Sequence, residues 1–317
     1  MSSASHSSVR PLLILLLGVV CISFAAVLVK TVNTNLVGPS AVGFWRTLSG
    51  AIFLAIWTLA ERKTLLLPKH VYKWSVLAGF VFFLDLFFWH RSILRCGAGM
   101  ATILAGTQVF CTALLSYVFY RERLKLSFFA AALSGFLGVA LLIGIGSETV
   151  TFTHEYILGV AFGLFTGISY ASYIMTVRRG SHEQGKIGTG AFMAWTSLFT
   201  ALFLGASSLI EGEPFVPPDL HSWAALLGLG LVAQALGWRS ISSSLPKLPV
   251  SRAALVLLLQ SVLATIWGML LFQEYLTLVQ IAGAVITLAA IYFGSIRATL
   301  AEVVEERSAE ISKAAGS

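Results

Sequence analysis

Asp85 stands in the apolar run from Val81 to His90, and Arg46 in the apolar run from Ala41 to Leu48. A charge surrounded by hydrocarbon costs a few kcal/mol, so each is a candidate for reading charge on a solute or moving a proton. Counted along helices at about 1.5 Å per residue, both fall roughly 11 Å from the same membrane boundary. They could therefore also pair with each other, and each charge would then serve structure. Trp89 follows Asp85 by four residues and shares its helix face. His90 titrates near neutral pH, which makes Asp85 and His90 the candidates for proton coupling. Trp89, His90, Arg91 and Arg95 equally suit an interfacial belt, where amphipathic side chains anchor a span.

Uncharged groups extend the set. Gln108 and Gln260 must find partners in hydrocarbon, as contacts to a solute or as bonds between helices. Gln234 and Trp238 repeat the polar–aromatic spacing of Asp85 and Trp89. Tyr170 and Tyr173 offer two hydroxyls near one face, and Trp45 and Trp195 two further aromatic rings. Singly, each could be packing; together they sketch a solute cavity with aromatic walls and few charges. Hydrolytic, Walker A and dinucleotide motifs are absent, so no catalytic residue and no cofactor is expected. Cys21, Cys96 and Cys111 are scattered, without metal or disulfide spacing.

The elements that must position these groups follow from composition. The 317 residues are 57% hydrophobic and 11% charged, with a mean hydropathy of +0.86. So little charge cannot cover a water-facing surface, which excludes a soluble globule, a disordered chain and a nucleic-acid binder. Crossing about 30 Å of hydrocarbon takes roughly 20 apolar residues. Ten such stretches lie near 11–32, 39–60, 73–92, 97–120, 126–144, 155–177, 188–210, 222–243, 249–272 and 277–297. The fold class expected is an all-α membrane protein of ten transmembrane helices.

Of the 21 Lys and Arg residues, all but Lys30, Arg46, Arg91 and Arg95 fall on one side of this arrangement. That bias puts both termini in the cytoplasm and accounts for the net charge of +7 without nucleic acid. Lys30, ending the first span, is expected to snorkel outward. Glu122 and Glu274 end the fourth and ninth spans as structural ends or gate contacts.

The second half echoes the first. A shift of 146 sets Ile22-Ser23-Phe24-Ala25 on Ile168-Ser169-Tyr170-Ala171, a shift of 150 sets Ala41 and Trp45 on Ala191 and Trp195, and a shift of 152 sets Gln108 and Glu122 on Gln260 and Glu274. Five spans per half is an odd number, so the two halves are expected to be inverted, as in secondary transporters. The divisions are a cytoplasmic tail at 1–10, repeats at 11–144 and 155–297, and a cytoplasmic tail at 298–317.

The Phe44-Trp45-Arg46 span, the Gln108–Glu122 segment and its echo Gln260–Glu274 resemble the drug/metabolite transporter superfamily, EamA type. The resemblance covers about residues 11–297. It implies a ten-helix carrier of the bacterial inner membrane for amino acids, related metabolites or toxic compounds, often an exporter. Val109 and Ser261 depart from the proline that the family often carries beside these glutamines. The expected partners are a small-molecule solute, the lipid bilayer and protons as a candidate coupling ion, with the chain a monomer or homodimer. The competing readings are a membrane-embedded enzyme acting on a lipid or lipid-linked substrate near Asp85 and His90, and a passive channel.

Overall fold

The computed structural model describes residues 6–32, 36–108, 110–111, 114–115, 126–145, 151–183, 189–244, 250–290 and 292–293. Glu122, with its neighbours Arg121 and Arg123, lies outside them, as do Val109 and both terminal tails beyond these limits. Among the described residues the secondary structure is helical throughout, with no strand.

The helices are α1 (His6–Ser23), α2 (Ala25–Thr31), α3 (Pro39–Ala60), α4 (Lys69–Cys96), α5 (Ala98–Gly106), α6 (Leu126–Ile143), α7 (His154–Glu183), α8 (Thr189–Ile210), α9 (Leu220–Gly228), α10 (Leu229–Gly237), α11 (Trp238–Ser244) and α12 (Val250–Phe272). A further helix, α13, runs over Leu278–Ala290. Among the described residues, six helices are long and apolar enough to cross a membrane: Arg10–Thr31, Pro39–Ala60, Lys69–Cys96, His154–Val177, Thr189–Ile210 and Leu220–Ser244. Leu133–Ile143, Leu259–Phe272 and Leu278–Ala290 are shorter apolar helices.

Local chemistry sets the breaks. Pro39 opens α3, where its missing N–H costs nothing. Gly97, at φ +90°, separates α4 from α5 in a backbone region that other residues rarely enter. The break expected near Leu94–Gly97 therefore falls on the one residue of that stretch able to make it. Asp219 caps α9 by accepting the Ser222 N–H at 2.7 Å. Its own pKa is lowered by that backbone bond and then by the Ser222 hydroxyl.

Packing then closes the bundle. α4 runs along α7 and α8, α3 along α8 and α10, and α12 along α5 and α1. Small residues permit the closest approaches: a Cβ on Gly138 would sit 2.6 Å from the Thr287 backbone nitrogen, so α6 and α13 meet nearly backbone to backbone. α10 is wound as a π-helix, a rare form often found at functional sites. It places Gln234 against α8 and α3, and Trp238 at the start of the next helix.

Candidate functional site

Helices α1–α5, α7, α11 and α12 surround a cavity of about 150 Å³. Arg46 enters from α3, Asp85 and Trp89 from α4, Tyr170 from α7, Trp238 from α11 and Gln260 from α12, with Gln108 just beyond α5. Seven of the residues expected to form a solute site thus share one void. Its volume matches a cavity that takes a molecule of about benzene's size, well below the ~300–1,000 Å³ of sites for drug-sized ligands.

Arg46 is 2% exposed and Asp85 7%. Among the described residues, no ion pair joins them. Arg46 Nε and Nη1 are buried without a hydrogen-bond partner, and the guanidinium carbon lies 5.5 Å from the Trp89 ring centre. Leaving a buried donor unmade costs about 1–3 kcal/mol, more when it is charged. The Trp238 indole N–H is likewise buried and unpartnered. Unsatisfied donors thus stand on the wall that also carries a carboxylate.

The Trp238 ring is fixed by edge contacts to Phe82, Tyr170 and Tyr173 at 5.6, 5.8 and 5.3 Å. Phe82 and Tyr173 stack at 4.4 Å. Tyr173 therefore supports the wall from behind, at 1% exposure, and does not line the void. Aromatic pairs of this kind add about 0.5–1.5 kcal/mol each beyond burial, which makes this side of the cavity stiff.

The other expected residues lie elsewhere. Trp45 donates to the Phe215 carbonyl at 2.8 Å and packs on Trp223, tying α3 to the segment before α9. Trp195 donates to the Leu65 carbonyl at 2.8 Å, at the opposite end. Gln234 is fully buried and donates to Ser197 Oγ at 2.9 Å. Gln234 is expected beside Trp238 on one face; its amide is taken up by Ser197 in the helix contact, and of the two only Trp238 lines the void. His90 is 0% exposed, its ring nitrogens have no hydrogen-bond partner, and it lies outside the cavity lining.

Three cations expected near the interface have carboxylate partners. The Lys30 ammonium, expected to reach outward, pairs with Glu274. Arg91 is buried and bonds Glu211 at 2.5 Å and Glu213 at 2.9 Å, and Arg95 reaches Glu155 at 2.8 Å. Glu211 and Glu213 reach Arg91 from the loop before α9, and Glu155 reaches Arg95 from the first turn of α7. Ser23, Thr102, Thr166 and Ser261 also line the cavity, and sequence reasoning passed over them. Hydroxyls in apolar helices usually bond their own preceding turn, as Thr102 does to Ala98 O and Thr166 to Phe162 O, so they carry no signal of their own.

This architecture, helices crossing a membrane around an internal polar void, is that of a membrane carrier. The EamA-like transporter family matches residues 9–144 and again 157–296. The chain belongs to that family, within the drug/metabolite transporter superfamily, and is a multi-pass protein of the cell inner membrane. It is 27% identical over 308 residues to the threonine/homoserine exporter RhtA of Escherichia coli (strain K12), covering 95% of each chain. It is also 27% identical over 201 residues to a probable amino-acid metabolite efflux pump of Salmonella typhimurium, a match spanning 62% of this chain and 66%, just under two thirds, of that pump. A crystal structure of a protein at 20% identity superposes with a TM-score of 0.65 over 93% of this chain and 98% of its own, a likeness of fold alone.

Proposed function

We propose that the protein is a secondary active transporter that exports a small amphipathic metabolite, an amino acid or a related compound, by alternating access. Two inverted five-helix halves, 11–144 and 155–297, rock around the central cavity, with both termini in the cytoplasm. The double family match supports the duplication, and the names of the relatives support an amino acid as cargo. The observation that carries the reading is the pairing of unsatisfied Arg46 donors with Asp85 in one small aromatic cavity. A carboxylate fits the guanidinium, whose planar fork binds such groups in pairs of bonds. An ammonium fits Asp85 beside the Trp89 ring. Asp85 is also the group placed to take a proton in exchange. Trp238, Tyr170, Gln108 and Gln260 shape the pocket.

Trp45, Tyr173, Trp195 and Gln234 act from the surrounding shell. The enzyme reading is disfavoured because His90 and Asp85 do not open onto a common void. Flux of radiolabelled amino acids into liposomes under an imposed proton gradient tests the proposal. Uptake should follow the gradient in the native protein and become indifferent to it in Asp85→Asn. Gradient-driven uptake by Asp85→Asn would remove that residue from coupling.

A further inference from the structure

Two glutamates from the second half of the chain are seated on helix N-termini of the first half, at the same end of the bundle. Glu274 accepts the Ala98 N–H at 3.0 and 3.2 Å and the Gly99 N–H at 3.5 Å, at the start of α5. Glu213 accepts the Ser40 and Ala41 N–H groups at 2.9 and 3.1 Å, at the start of α3. Each carboxylate is also paired with a cation of the first half, Glu274 with Lys30 and Glu213 with Arg91. Helix N-termini carry unsatisfied N–H groups and partial positive charge, so both seats favour an anion.

The Glu274 seat is built for its occupant. A Cβ on Gly268 would come within 2.6 Å of the carboxylate and one on Gly97 within 3.0 Å, so glycine on both sides leaves room for it. The seat also lies directly over the cavity. Ala26, Thr102 and Ala264 line the void, and Lys30, Ala98 and Gly268 each stand four residues further towards this end, about 6 Å along their helices. At the level of the void, Phe24 stacks on Trp267 at 4.9 Å, and the Trp267 N–H donates to Ser23 Oγ, a lining hydroxyl, at 3.1 Å. Phe24 is also where α1 gives way to α2, the short helix that bears Lys30.

We infer that Lys30 and Glu274 form the gate that closes the cavity towards the Lys30 end. α2 is the moving part, and Glu213–Arg91 is a second latch over the same end. Opening lifts Lys30 from Glu274. The carrier reading assigns this end to the outside; accessibility of the cavity can be read without any transport.

The test places Thr102→Cys in a protein whose Cys21, Cys96 and Cys111 are replaced by alanine. The rate of labelling by a membrane-impermeant maleimide is measured from each face of sealed vesicles. Lys30→Met and Glu274→Gln should each raise the rate from the outer face about tenfold, the change expected from losing a charge-assisted contact. Lys63→Met, exposed at the other end, should leave it unchanged. Unchanged rates in both gate variants, with the protein inserted and monodisperse, would overturn the inference, as would a rise confined to the opposite face. Should Glu274→Gln fail to fold, Lys30→Met keeps the helix cap and decides alone. Faster labelling in a protein that carries no solute would leave the gate standing and remove the carrier reading.

Discussion

Arg46 and Asp85 face one cavity without forming an ion pair. Two opposite charges buried this deeply would gain strongly from contact, because attraction grows as the dielectric falls. Their separation leaves both available to a solute carrying both charges. Arg46→Gln and Asp85→Asn should each lower transport efficiency by about 10–100-fold, from the loss of a charge-assisted bond of about 1.5–3 kcal/mol. Arg46→Lys should recover little, since an ammonium cannot reproduce the paired geometry of the guanidinium. Initial rates in proteoliposomes measure both.

Trp238→Phe keeps an aromatic ring against Tyr170 and Tyr173 and deletes the unpartnered N–H. It should raise KM several-fold at nearly constant maximal rate and leave the melting temperature within a few degrees. A fall in maximal rate at unchanged KM would place that N–H outside solute binding.

Gln234→Ala acts differently, because its amide serves Ser197 inside the helix contact. The expected outcome is a loss of about 1–3 kcal/mol in stability from the unmade bond and the vacated space, with KM unchanged. Thermal unfolding in detergent separates it from the cavity variants.

The sequence made Arg46, Asp85, Trp89 and Gln260 legible because polar groups in apolar runs are rare and therefore conspicuous. It made the α4–α5 break legible because Arg91 and Arg95 would otherwise lie inside one helix too long for the bilayer. It could not reveal the seats of Glu213 and Glu274, since loop glutamates look solvated until the fold sets them on the N-termini of α3 and α5. Gln234 is equally conspicuous as a polar group, yet its partner Ser197 on α8 shows only once the helices pack.

Beyond the membrane, at the end opposite Lys30, Glu61 joins α3 to α11 through Arg239 and also accepts a bond from Lys63 at 2.8 Å. Its pKa is pulled down to about 2, by the Lys63 hydrogen bond first and the Arg239 bond second. A lowered carboxylate pKa stabilises the fold above the unfolded-state value of about 4.3 and loses that contribution as pH falls towards the folded-state value. The pair is exposed, so the stake is small. Native protein and Glu61→Gln should differ in melting temperature by about 1–2 °C at pH 6. The gap should narrow below about pH 4, and a gap that widens on acidification would contradict the assignment.

The most direct measurement is counterflow of radiolabelled threonine, or another small amino acid, into proteoliposomes preloaded with the unlabelled compound. The account predicts transient accumulation by the native protein and none by Arg46→Gln inserted to the same level. Accumulation by Arg46→Gln equal to that of the native protein would contradict a solute bound between Arg46 and Asp85.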